Sequence, residues 1–166
     1  MAKHSNVVSG SSMEWVESSH GDKFASRRKQ LGRPAGGQML GCSLFSIEPG
    51  KTAYPAHTHY GNEEGVYVLS GQGSMRLGDE KVAVEAGDYI AMPVAGPGHQ
   101  LINDSDAPLE YLCISTMIHP EVVHYTDSNK VGMMAGSAPG GATKDRLLGG
   151  FGIYRRGTEV DYYDGE

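Results

Sequence analysis

The amino-acid sequence predicts an all-β protein, a sandwich or a barrel. From Met39 onward it consists of short apolar runs separated by Gly, Pro, Asn and Asp. One pair of runs has the alternation of a hairpin, and no stretch combines sustained helical periodicity with caps. Glycine, 24 of 166 residues, recurs without a fixed period, which excludes collagen and fits many turns between short strands.

Residues 1–37 are polar and mixed, ending in "LGRPAGGQ", and read as an N-terminal arm rather than a separate domain. "MLGCSLFSI" is a strand stopped by the turn Glu48-Pro49-Gly50. "GVYVLSG" is the next. In "SMRLGDEKVAVEAGD", Met75 and Leu77 alternate with polar residues, Gly78-Asp79 turn the chain, and Val82 and Val84 alternate on the return. All four are expected in the core. "YIAMP", "HQLIN" and "LEYLCISTMI" follow; the last is apolar at nearly every position, which predicts cover on both faces. Residues 130–152 show no convincing period, and "GSAPGGATK" fails as a phosphate loop because its Lys does not follow a Gly. The expected division is an arm at 1–37, a barrel at 38–126 and an extension at 127–166 packing on or near the barrel, with helix confined to the ends.

A formal net charge of −6 argues against a nucleic-acid partner. Arg27-Arg28-Lys29 reads as a solvated surface. No apolar stretch reaches the ~18 residues needed to span a membrane, and the first twenty residues lack the apolar core of a secretory signal. Cys42 and Cys113 sit in apolar surroundings without zinc-knuckle or CxxC spacing, which suits buried free thiols in a reducing compartment. The expected location is the cytoplasm.

Chemistry concentrates in "AYPAHTHYGNEEGVYVLSGQG". His57 and His59, two apart on a strand, share a face about 6.5–7 Å apart, while Thr58 faces away. Gly61-Asn62 breaks the strand, so the register of Glu63 and Glu64 follows from the next run. An inward Glu64 puts Val66 and Val68 on its face; an inward Glu63 puts Gly65, Tyr67 and Leu69 there. Branched aliphatics fill small barrels, so Glu64 is preferred. Tyr67 and Leu69 then point outward and call for cover, which suggests a homodimer or a folded-over arm. Further on, His99 opens a strand whose face it shares with Leu101 and Asn103. Three imidazoles and one carboxylate suit a divalent transition ion with open coordination positions.

The sequence resembles the cupin superfamily, and two motifs carry the resemblance. The first reads Gly50, six residues, His57-Thr58-His59, four residues, Glu64, six residues, Gly71. The second reads Gly87, five residues, Pro93, then Gly96-Pro97-Gly98-His99, three residues, Asn103. The chain departs from the family pattern by one extra residue before His57 and one between Pro93 and Gly96, both in loops. The match covers roughly residues 40–116, and the spacing to Gly71 independently favours Glu64 over Glu63. The resemblance implies a double-stranded β-helix, jelly-roll-like, with a divalent transition metal (Fe, Mn, Ni, Zn or Co) held by His57, His59, Glu64 and His99. Features such as "RRKQLG" and "HYTDSNKVG" are similar to small single-domain cupins that are mostly uncharacterised.

Two functions remain open. One is a metal-dependent enzyme of dioxygenase, isomerase or lyase type on a small oxygen-rich molecule; the other is a non-catalytic cupin that binds or senses a small ligand. No residue stands out as a dedicated general acid or base. Gln38, Tyr54, Tyr67, Gln100 and Met92 are candidate substrate contacts. Glu63 reads as a solvated neighbour. His4, His20, His119 and His124 lie outside the motifs and read as surface or packing residues.

Overall fold

The computed structural model describes residues 4–141 and 143–166; Ala142, inside the "GSAPGGATK" stretch, and the first three residues lie outside it. The strands are β1 (Val16–His20), β2 (Phe24–Gln30), β3 (Leu40–Ile47), β4 (His57–His59), β5 (Glu64–Ser70), β6 (Gln72–Leu77) and β7 (Glu80–Glu85). They continue as β8 (Tyr89–Met92), β9 (His99–Ile102), β10 (Leu109–Thr116), β11 (Glu121–Tyr125), β12 (Lys130–Ala135) and β13 (Leu147–Arg155). Helix is limited to 3-10 turns at Gly10–Ser12 and Thr143–Asp145.

Two antiparallel sheets result, ordered β1-β2-β3-β10-β5-β8 and β13-β12-β11-β4-β9-β6-β7. From β3 to β11 the chain passes repeatedly from one sheet to the other, the winding of a jelly-roll-like double-stranded β-helix. Phe45, Ile47, Val66, Val68, Leu109 and Tyr111 from the first sheet meet Met75, Val84 and Leu101 from the second in one buried core. Each projects inward at every second position, so the period-2 pattern of the sequence is the inner face of the barrel. The motif glycines sit where the chain changes sheet. Gly50 and Gly71 have φ of 73° and 81°, and a Cβ at Gly71 would collide with the Pro108 carbonyl.

Four expectations change. Val82 is 46% exposed although it pairs with buried Met75, because β7 is the edge strand of its sheet. In β10, Leu109 and Tyr111 are buried but Ile114 is exposed: the six-stranded sheet is covered on its inner face and partly open on the other. The polar arm contributes β1 and β2, and residues 130–155 contribute β12 and β13, so both sheets continue beyond 38–126. Arg27-Arg28-Lys29 is not a solvated face either. Lys29, 8% exposed, donates to the Gly10 carbonyl at 2.7 Å and lies over Trp15, as does Arg27, whereas Arg28 points inward.

Asn103 closes the second motif structurally. Fully buried, it donates through Nδ2 to the carbonyls of Ile47 (2.7 Å) and Ala107 (2.8 Å) and accepts at Oδ1 from the Ser105 amide and hydroxyl. It ties the end of β9 to the end of β3. Asn103→Ala leaves those buried carbonyls without donors and is expected to lower unfolding free energy by about 2–4 kcal/mol. A denaturant midpoint shift with an unchanged m value is the readout.

Candidate metal centre

β4 lies between β11 and β9, and the His57–His99 pair is the register point joining it to β9. His57 and His59 therefore face inward beside His99, while Thr58 turns away and donates to the Gly96 carbonyl at 3.2 Å. Glu64 enters from the opposite sheet as the first residue of β5. Val66 and Val68 are buried below it, and Tyr67 and Leu69 are exposed outside, as the preferred register requires. One donor atom from each of His57, His59, Glu64 and His99 lies within 4.8 Å of the others.

The imidazoles are oriented before any ligand arrives. His57 Nδ1 donates to the Pro55 carbonyl at 2.7 Å, which leaves Nε2 with its lone pair toward the cluster. Burial, followed by the neighbouring His99 and His59, pushes His57 down to about 4, so it is neutral near pH 7. His59 presents Nε2 to Glu64 Oε2 at 3.6 Å and Nδ1 to Glu121 Oε1 at 3.6 Å. Its pKa is raised: burial works downward, but the carboxylates of Glu121 and Glu64 outweigh it. His99 Nε2 lies 3.7 Å from Glu64 Oε2. Burial would raise the Glu64 carboxyl, yet His99, His59 and His57 together hold it below its usual range.

These distances test the fit of a metal. Two donors, each about 2.0–2.2 Å from one ion, sit roughly 3.0–3.4 Å apart at octahedral or tetrahedral angles. The two contacts to Glu64, at 3.6 and 3.7 Å, are a few tenths wider and too long for hydrogen bonds, and all four donors lie within 4.8 Å of one another. His99 Nε2 is buried without a hydrogen-bond partner among the described residues. An orphaned imidazole nitrogen facing a carboxylate and two further imidazoles is the donor set a divalent transition ion completes, so the residues fit.

Glu121 was not anticipated from the sequence. Only 1% exposed, it accepts from the amides of Tyr60 (3.2 Å) and Gly61 (3.1 Å) and from Asn62 Nδ2. It is the carboxylate behind His59, whereas Glu63 is exposed. The available signal was its alternation with Val123 and Tyr125 on β11, which places Glu121 on the inner face.

The cluster opens into a cavity of about 330 Å³. Tyr54, Met92 and Gln100 line it as expected; Gln38 and Tyr67 are exposed outside its lining. Tyr54 and Tyr125 flank the His57 ring at centroid distances of 6.5 and 6.2 Å. Of the residues around His124, Tyr125 reaches the cavity, while Lys130 stacks on Tyr125 and Asp127 pairs with Arg76 at 2.9 Å. The lining also includes Arg28, Arg33, Pro139, Gly140 and Arg146.

Residues 43–115 match the family described as Cupin domain. An uncharacterized protein of Methanocaldococcus jannaschii is 44% identical over 59 residues, 36% of this chain and 46% of that one. The chain thus matches about half the length of this curated relative. The crystal structure of a putative sugar phosphate isomerase from Acidithiobacillus ferrooxidans has a TM-score of 0.79 at 25% identity, covering 95% of this chain and 96% of that one. That of a sugar phosphate isomerase from a cupin superfamily from Silicibacter pomeroyi has a TM-score of 0.76 at 23% identity, covering 95% and 98%. Among the described residues no helix is long and apolar enough to cross a membrane.

Proposed function

The chain belongs to the cupin superfamily, and from that premise we propose that it is an enzyme binding one divalent transition metal through His57, His59, Glu64 and His99 and acting on a small oxygen-rich organic substrate. The observation carrying this reading is the convergence of three imidazoles and one carboxylate from both sheets at the floor of a cavity. Of dioxygenase, isomerase and lyase chemistry, the likeness to the putative Acidithiobacillus isomerase supports the second. When bound, the ion supplies Lewis acidity that lowers the cost of negative charge on a substrate oxygen.

The chain's own residues do the rest. His57, neutral and fixed by the Pro55 carbonyl, gives the site a donor that need not lose a proton. Glu121 stands behind His59 Nδ1 and keeps Nε2 inward. Tyr54 and Tyr125 hold their phenolic protons through neutral pH, because burial raises both, and can donate to substrate oxygens beside His57. Tyr54, Met92, Tyr125 and Phe151 give the cavity an apolar part to its lining.

Elemental analysis of the purified chain is expected to find about one equivalent of a transition metal, and His99→Ala is expected to lose it. Metal-dependent interconversion of aldose and ketose substrates supports the enzyme. Saturable ligand binding without turnover, and without oxygen consumption, under every metal tried identifies a sensing cupin instead. Absence of metal in wild type, with no uptake on reconstitution, removes the proposal.

A further inference from the structure

The chain is acidic overall, but the cavity that holds the proposed metal ligands is not. Arg28, Arg33 and Arg146 all line the cavity, and Glu64 is the one acidic residue in the lining. None of the three arginines enters an ion pair among the described residues, although Arg27, Arg76 and Arg156 do. Arg28 is set firmly. It comes from β2 opposite Phe45, lies 5.5 Å from that ring's centroid, and donates from Nε to the Ser43 hydroxyl at 3.0 Å, leaving its terminal nitrogens uncommitted. Those nitrogens reach the Pro139–Gly140 turn, which Gln30 Nε2 holds by donating to the Gly140 carbonyl. Arg146 Nε is buried with no hydrogen-bond partner among the described residues.

Arg28 and Arg146 are half-buried without counter-charges, one of them with an orphaned buried N–H, which is costly unless an anion joins them, and exposed Arg33 adds a third positive charge to the same cavity. The forked donors of arginine match the oxygens of phosphate, and several converging forks suit a tetrahedral dianion better than a planar carboxylate. Arg28 also shares the cavity with Glu64: their opposite charges both act on Tyr54, Tyr111 and Cys113, which line it with them.

We propose that Arg28, Arg33 and Arg146 form a phosphate-binding wall, and that the substrate is a small phosphate monoester lying with its phosphate there and its carbonyl or hydroxyl end at the four-residue cluster. The orientation of the substrate rests on the enzyme reading above; the anion site does not. A cavity of about 330 Å³ is the size of such a molecule.

The test uses the full chain freed of metal by chelation, so that loss of the metal reading leaves it intact. Ribose 5-phosphate, ribose, ribonate and inorganic phosphate are titrated calorimetrically. Ribose 5-phosphate and inorganic phosphate are expected to bind with one-to-one stoichiometry, and ribose at least ~100-fold more weakly. Arg28→Leu and Arg33→Leu are each expected to weaken phosphate binding by about 10-fold or more, whereas Arg156→Leu, outside the cavity, leaves it unchanged. Arg33 is exposed, so its replacement does not threaten folding even if Arg28→Leu proves unstable. Equal affinity for ribose and ribose 5-phosphate, ribonate binding as tightly as the phosphate ester, or unchanged binding in Arg33→Leu and folded Arg28→Leu would each overturn the proposal.

Discussion

Glu64→Gln is expected to lower metal affinity by at least ~100-fold, since outer partners of a metal ligand alone are worth 10–100-fold, with little loss of stability in chelator. The argument is electrostatic. Among the described residues Glu64 is the anion that joins this cluster from the opposite sheet, and it remains ionised despite burial because the imidazoles hold its carboxyl low. A divalent ion takes over that role with far greater charge density, and an amide oxygen offers neither the charge nor the second lone-pair set. Without metal, the glutamine keeps the shape over Val66 and Val68 and packs on the same apolar floor. A ligand present at ~100 times its Kd stabilises a fold by about 2.7 kcal/mol. Thermal melts with and without added metal should therefore separate for wild type and coincide for Glu64→Gln. Equal metal-dependent stabilisation in both would place the ion, if any, elsewhere.

The choice of Glu64 over Glu63 shows what was legible. It followed from the next five residues, because a period of two fixes which side chain accompanies buried Val66 and Val68 once the strand begins at Glu64. His57, His59 and His99 were legible for the same reason. The flanking strands were not. β1 is an edge strand exposed at all its positions, so no apolar alternation was needed to make it, and its pairing depends on β2 rather than on its own sequence. β12 and β13 carry glycines where aromatic rings need room: a Cβ at Gly132 would strike Phe151. There packing replaces the alternation on which a sequence reading relies. Arg28 was hidden between Arg27 and Lys29. Charge runs solvate on a free strand, but here Trp15 covers one face and the cavity claims the other.

Glu121→Ala is expected to cost about 2–4 kcal/mol of stability and, separately, about 10–100-fold in metal affinity. Stability falls because the carboxylate is the acceptor that the Gly61 amide depends on and a second acceptor for the Tyr60 amide and Asn62 Nδ2, which would keep only the Val122 and Ile118 carbonyls. Asn62 cannot compensate by rotating its amide, since Oδ1 already accepts from the Thr116 hydroxyl at 3.0 Å and the Ile118 amide at 2.7 Å. Metal affinity falls for a different reason: Oε1 faces His59 Nδ1, and without it nothing selects the tautomer that turns Nε2 toward Glu64. Glu121→Gln separates the two effects. Its carbonyl oxygen can keep the Tyr60 and Gly61 amides while its NH2 group opposes the Asn62 NH2, so its stability loss should be smaller, about 1–3 kcal/mol. The charge behind His59 is nevertheless gone. A glutamine variant that is nearly as stable as wild type yet binds metal more weakly makes Glu121 a positioning residue for His59. If it binds metal as wild type does, the negative charge of Glu121 is not what orients His59.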